Sequence, residues 1–310
     1  MRWRKQYKGL IILFILLFLS VLFSNKNIFA HSRQVDKIIT YGHHEDDEED
    51  EGLTSPVRIA IGSGERIYVS DFKNRLIAIM KIKHEKVKLL KTIQIDGNPL
   101  GIAVDRRGWI YVGNNNKNRV EVYTPGGKFK YTLEGEIKRP NDIAIASNGL
   151  IYVVASDENL VKIYNADGSF RSSFGGSGKG YGQFNFPTGI AIDENNMEVI
   201  VSDFLNKRIQ IFDYEGNWLR TIGGGWFSSV VDRPQGIAVD EQGRIYVVDP
   251  KQACVLIFGR DGKLITTFGE YGEDEGKLRI PLDIVINKKG DAFVTSYQNS
   301  RIEIFRGVVK

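Results

Sequence analysis

Residues Pro187-Thr188-Gly189-Ile190-Ala191-Ile192-Asp193 are followed by Val199-Ile200-Val201-Ser202-Asp203 and then by Asn206-Lys207-Arg208-Ile209-Gln210-Ile211-Phe212. Apolar and polar residues alternate with a period of two, which predicts strands. Every piece returns along the chain. Prolines stand at positions 56, 99, 140, 187, 234 and 281, six of the eight in the sequence, and each is followed by a similar alternating run. A second strand follows, as in Ile67-Tyr68-Val69, Ile110-Tyr111-Val112 and Ile245-Tyr246-Val247. A third follows that, as in Arg119-Val120-Glu121-Val122-Tyr123 and Arg301-Ile302-Glu303-Ile304-Phe305. Where a plain fourth strand is present it comes after a turn such as Asp261-Gly262, a strong hairpin signal. Four antiparallel strands per unit, repeated six times without a helical period, predict an all-β, six-bladed β-propeller with four-stranded antiparallel blades.

The ring has to close, and only five residues follow Phe305, too few for a fourth strand. Ile38-Ile39-Thr40-Tyr41-Gly42 resembles Ile265-Thr266-Thr267-Phe268-Gly269, the fourth strand of unit five. Residues 36 to 41 are therefore expected to close the ring as an N-terminal strand completing the last blade, which would also cover an open edge. The predicted organisation is a leader at 1–30 and a propeller at 31–310. Within the propeller an acidic inter-blade loop at 42–55 follows the closing strand, and blades start near 56, 99, 140, 187, 234 and 281.

The chain has 310 residues, 42% of them hydrophobic and 26% charged, which fits a globular protein and rules out wholesale disorder. Its single cysteine, Cys254, excludes a disulfide scaffold and a thiolate zinc cluster. The formal net charge of +4 depends on Arg2, Arg4, Lys5, Lys8 and Lys26, all in the first thirty residues, where Asp and Glu are absent. Without them the charge turns slightly negative, so nothing in the balance argues for a polyanionic partner. That basic start precedes an apolar run from Leu10 to Phe23, broken only by Ser20, and a polar stretch ending at Ala30. The order is that of a secretory signal, cleaved or kept as an N-terminal membrane anchor, and it places the remainder outside the cytoplasmic membrane.

With the repeat laid out, the order Pro-x-Gly-Ile-Ala-Val-Asp, Gly-x-Ile-Tyr-Val-x-Asp, Asn-x-Arg-Ile-x-x-Phe, Gly and Phe-Gly-x-x-Gly resembles the NHL-repeat propellers, as an exported bacterial-type member. Unit four carries nearly all of it, in Pro187 to Asp193, Ser202-Asp203, Asn206 to Phe212 and Gly216 to Gly223. The resemblance covers residues 36 to 306. It implies the fold and leaves activity open, since the family includes RNA-binding, protein-binding and lyase members.

The zinc-dependent lyases of that family hold their metal with imidazoles from several blades. Here His31, His43 and His44 precede the first full blade and only His84 lies within one, so neither a three-histidine site nor a buried serine triad can be assembled. Carboxylate acid–base chemistry is not excluded. The run Glu45 to Glu51 beside His43 and His44 falls in the slot of an inter-blade loop. It is read as a solvated charge block, with weak calcium binding the alternative. Together with Glu270, Glu273, Asp274 and Glu275 of the neighbouring crossing it is expected to form an acidic patch. Gly175 to Gly182 imitates a phosphate loop but lacks the following helix, and is read as another crossing. Lysines between Lys81 and Lys91 are read as protection of an outer hairpin, and Cys254 as a packed strand residue.

Binding is expected on the face that carries the inter-blade crossings. Arg58, Asp142 and Asp283 stand where the other units have Gly101, Gly189 and Gly236, and Arg58 and Asp283 belong to neighbouring blades. Asp71, Asn114, Asp203 and Asp249, with Tyr297 nearby, supply further acceptors; turn capping and a closing salt bridge are the plainer account of the whole set. These eight residues are the candidate ligand site. No catalytic residue, metal ligand or cofactor is assigned. The expected role is a non-catalytic binding scaffold, monomeric, that recognises an extracellular or envelope protein, peptide or glycan and no nucleic acid. The competing expectation is a lyase or hydrolase that uses channel-mouth carboxylates without a histidine-bound zinc.

Overall fold

The computed structural model describes residues 35, 37–42, 52–83, 86–224 and 230–308. The leader at 1–30, all four histidines and the acidic run Glu45 to Glu51 lie outside the described residues. Among the described residues no helix is long and apolar enough to cross a membrane.

Six four-stranded antiparallel sheets form the blades of a β-propeller. Blade 1 runs from the centre outward as Pro56–Gly62, Arg66–Asp71, Leu76–Lys83 and Lys86–Gln94, and blade 2 as Pro99–Val104, Ile110–Asn114, Arg119–Tyr123 and Phe129–Thr132. Blade 3 is Pro140–Ile145, Ile151–Ala155, Leu160–Tyr164 and Phe170–Gly175, and blade 4 is Pro187–Asp193, Glu198–Asp203, Arg208–Asp213 and Trp218–Gly223. Blade 5 is Ile237–Val239, Ile245–Asp249, Cys254–Phe258 and Leu264–Phe268. Blade 6 takes three strands from the C-terminal end, Pro281–Ile286, Ala292–Ser296 and Arg301–Arg306, and its outer strand, Lys37–Gly42, from the N-terminal end.

That outer strand pairs antiparallel with the last, from Lys37 opposite Arg306 to Gly42 opposite Arg301. The ladder satisfies an edge that would otherwise be open to another chain. Thr40 adds a side-chain bond, its hydroxyl donating to Glu303 Oε2 at 2.7 Å. Glu303 is fully buried and ion-paired to Arg301 at 2.6 Å, so the closure carries a polar lock as well as a ladder.

Packing lies between blades rather than within one domain-wide core. The Tyr of the second strand is the main spacer: Tyr68, Tyr111, Tyr152 and Tyr246 are almost fully buried against the next blade. The Tyr152 hydroxyl donates to the Tyr214 carbonyl at 3.0 Å and that of Tyr246 to Asp240 at 2.9 Å, which removes the cost of burying those phenols. Cys254 packs in the third strand of blade 5, and burial pushes its thiol up to about 12. The sequence shows no helical period, yet single 3₁₀ turns occur at Ser63–Glu65, Ser156–Glu158 and Phe204–Asn206. One turn is too short to leave a periodic signal.

Residues 175–186 run from the outer strand of blade 3 to the inner strand of blade 4. Arg208 holds them, donating to the carbonyls of Lys179 at 2.9 Å, Gly180 at 2.7 Å and Gln183 at 2.8 Å. Backbone carbonyls turned toward an arginine are the reverse of a phosphate cradle, which presents N–H groups. The outer hairpin of blade 1 carries Lys81, Lys83, Lys86 and Lys88 on paired positions, an edge that repels further strands.

Candidate functional site

Five of the six inner strands slip register just after the proline that opens them: Pro56/Arg58, Pro99/Ile102, Pro140/Asp142, Pro187/Ile190 and Pro281/Asp283. Proline has no N–H to give the ladder, and a bulge there costs no bond that was available. Bulges re-aim side chains. Amides freed by the shift find hydroxyls on the second strand: Arg58 N–H donates to Ser70 Oγ and Asp283 N–H to Thr295 Oγ1, each at 3.0 Å.

Arg58 spans the ring. From blade 1 its Nε donates to the Asn141 carbonyl of blade 3 at 3.0 Å, Nη2 to the Thr188 carbonyl of blade 4 at 2.6 Å, and Nη1 to the Leu282 carbonyl of blade 6 at 3.2 Å. Blade 4 is the one opposite blade 1, so the guanidinium lies across the axis. Nη1 also pairs with Asp283 Oδ1 at 3.3 Å, while Asp283 Oδ2 accepts the Ile59 N–H at 2.9 Å. Asp142 repeats the motif one half-turn away, its Oδ2 accepting the Ile190 N–H and its Oδ1 the Ile143 N–H, both at 2.9 Å. The alternation of Gly with Arg and Asp at this level is a packing solution. A Cβ on Gly236 would stand 2.1 Å from Asp283 Oδ1, and one on Gly189 2.2 Å from the Gln235 carbonyl. Arg58, Asp142 and Asp283 occupy the space that the glycines leave around the axis of the ring.

Charge is unevenly matched there. Two carboxyls share one guanidinium in a buried site, with Arg58 at 1%, Asp283 at 4% and Asp142 at 6% exposure. Burial raises Asp283 to about 7, against the lowering pull of Arg58, and the charge of Asp142 raises it further. Asp142 is also raised, by burial first. Burial and the charge of its neighbour thus both work against ionising Asp283.

The other candidate residues lie higher, at the ends of the second strands, and clamp the crossing loops. Asp71 accepts the N–H groups of Thr54 at 2.6 Å, Ser55 at 3.2 Å and Asn74 at 3.1 Å. Asp203 accepts Asn185 N–H at 2.8 Å and Arg208 Nε at 2.7 Å, and Asp249 accepts the amides of Asp232 at 2.8 Å and Arg233 at 3.0 Å. Asn114 donates to the Asp96 carbonyl at 3.0 Å. All four are fully buried, and Tyr297 is half-buried with its amide on the Ile280 carbonyl at 3.2 Å. The structure therefore gathers Arg58, Asp142 and Asp283 and spreads the rest around the rim as loop anchors.

Sequence reasoning passed over the residues between these anchors. Arg139 and Phe186, each just before a blade-opening proline, adopt left-handed backbone with φ of 53° and 58°. The Arg139 guanidinium lies 5.0 Å from the Phe186 ring, Phe186 meets Phe204 edge-on at 6.2 Å, and Arg233 lies 5.8 Å from Phe204. No single blade shows this strip, because each of its members is the residue at which the repeat varies. Among the described residues no three His, Cys, Asp or Glu side chains come together as a metal site.

Residues 129–269, which cover blades 3 to 5, match the family described as SMP-30/Gluconolactonase/LRE-like region. The chain is 28% identical over 172 residues to Protein brain tumor of Drosophila melanogaster, a distant NHL-repeat relative; the match takes in 55% of this chain and 12% of that protein. A solved streptogramin B lyase superposes with a TM-score of 0.63 at 14% identity, covering 87% of this chain and 97% of its own. A gluconolactonase from Xanthomonas campestris does so with a TM-score of 0.60 at 15% identity, over 89% and 99%. At such identities the superpositions establish the fold. The expectation of a propeller with no chemistry of its own is overturned by the gluconolactonase-type family match, in company with solved propellers that are a lyase and a gluconolactonase. Carboxyls can move protons without an imidazole-bound zinc, so a scarcity of histidines does not weigh against catalysis.

Proposed function

We propose that this chain is a lyase or hydrolase working on the crossing-loop face, with Asp142 and Asp283 as its acid–base pair at the axis of the ring. One observation carries the reading: the buried Asp283 carboxyl pairs with the Arg58 guanidinium on the propeller axis and is held at about 7, with the buried Asp142 within reach of the same positive charge. A group with that value exchanges protons readily at neutral pH. The gluconolactonase-type match over blades 3 to 5 supports a ring-closed ester as substrate class, in which attack on a carbonyl needs a base for water and an acid for the leaving oxygen. Arg58 engages four acceptors with its five N–H groups, three carbonyls and Asp283 Oδ1, so its first duty is to hold the axis together and fix Asp283.

The test is a panel of lactones and open-chain esters assayed with the purified chain and with Asp142→Asn and Asp283→Asn. Turnover of a lactone, reduced about a hundredfold or more in either variant while the variant remains folded at the assay temperature, is expected from the usual size of acid–base contributions. Wild-type rates in both variants would remove these carboxyls from the chemistry.

A further inference from the structure

Arginines on the crossing-loop face are generally paired: Arg58 with Asp283, Arg208 with Asp203 at 2.7 Å and Arg301 with Glu303. Arg139 and Arg233 differ. Neither guanidinium has a carboxylate partner among the described residues, and the Nε of Arg139 is buried without a hydrogen-bond acceptor. Each lies instead over an aromatic ring, Phe186 or Phe204, and the two rings touch. Two carboxylates near them are already engaged. Glu158 is paired with Lys162 at 2.8 Å, and Asp232 is shared by Lys207 at 2.6 Å and Lys251 at 2.5 Å. The rim over blades 3 to 5 thus holds a surplus of positive charge above an apolar strip.

A guanidinium laid flat on a ring keeps its in-plane N–H groups free to grip an oxyanion side-on, and the ring offers a surface to whatever carries that anion. We propose that this strip is a binding site for a small organic oxyanion, a carboxylate or a phosphate monoester on a flat or apolar body. Arg139 and Arg233 are its anion contacts, and Phe186 and Phe204 its apolar floor. Left-handed backbone at Arg139 and Phe186, shared by Ile280 ahead of Pro281, is the turn that sets these two side chains on the rim. The site stands whether or not the axial carboxyls turn a substrate over.

Ligand-observed NMR titration of the purified chain with benzoate, phenyl phosphate and benzyl alcohol tests it. Benzoate or phenyl phosphate is expected to bind, more weakly as salt is added, and benzyl alcohol to bind at least about tenfold more weakly for want of the charge-assisted bonds. Whichever anion binds tighter names the source of the oxyanion. Arg139→Gln and Arg233→Gln, both on the rim, should each weaken anion binding about tenfold while leaving the melting temperature in place. Asp283→Asn, which tests the reaction, leaves this binding intact, so the two readings fail separately. Equal binding of benzyl alcohol and benzoate, no binding of either anion, or variants that bind as wild type would overturn the site.

Discussion

Arg58 Nη2 donates to the Thr188 carbonyl at 2.6 Å, joining blade 1 to the blade opposite it through the axis of the ring. The two residues are far apart in sequence and meet only because six units close a circle. A propeller held solely by contacts between neighbours leaves its centre to small side chains. This one places a guanidinium there and ties blades 1, 3, 4 and 6 to it.

Arg58→Ala should therefore destabilise the whole ring. It leaves Asp142 and Asp283 buried without their cation and strands three carbonyls, and breaking one partner of a buried pair costs about 3–5 kcal/mol. Urea unfolding would show a lower midpoint with the slope unchanged. A loss below about 0.5 kcal/mol, the level of ordinary surface substitutions, would show that the axis bears no weight.

Stability should fall as pH rises from about 4 to about 7. Asp283 and Asp142 are raised in the folded state, so the native protein binds more protons than the unfolded chain between the ordinary carboxyl range and about 7. Their contribution is fully present below the unfolded value and is lost as pH passes through the folded one. Urea midpoints across that range measure the slope, and Asp283→Asn should flatten it. A slope that survives in this variant would assign it to other groups.

Closure can be broken at one atom. Gly42 ends the N-terminal strand at φ 152°, and a Cβ there would fall 2.3 Å from Arg301 Cβ. Gly42→Ala should loosen the last blade, lowering the melting temperature and increasing amide exchange first along Lys37–Gly42 and Arg301–Arg306. Thr40→Val, which removes only the bond to Glu303, should cost about 1–3 kcal/mol by leaving a buried carboxyl short of a donor. Exchange unaltered in Gly42→Ala would argue against the closing role of this strand.

Cys254 should ignore thiol reagents in the native protein at pH 8. It is 4% exposed with its thiol pushed up to about 12, and both factors suppress the thiolate. One equivalent should react after denaturation. Rapid labelling without denaturant would mean that blade 5 opens readily.

The repeat was legible because a blade is a local object. Period-two runs, Asp-Gly turns and prolines such as Pro187 and Pro234 report on strands that pair with their sequence neighbours, and the short C-terminal unit announced the N-terminal strand that completes it. The departures at Arg58, Asp142 and Asp283 were legible too, as breaks in an otherwise regular Pro-x-Gly. Their consequence was not. That Arg58 crosses to blade 4 depends on the diameter of the closed ring, a property of six units together. The same limit hid the strip of Arg139, Phe186, Phe204 and Arg233, four unrelated letters at the variable positions of three blades. Sequence alone determined the blades, their number and the order of their strands, since hydrogen bonding between adjacent segments follows from local pattern. Tertiary structure alone decided which side chains meet on the axis and the rim, because a closed ring brings together residues whose separation along the chain carries no signal.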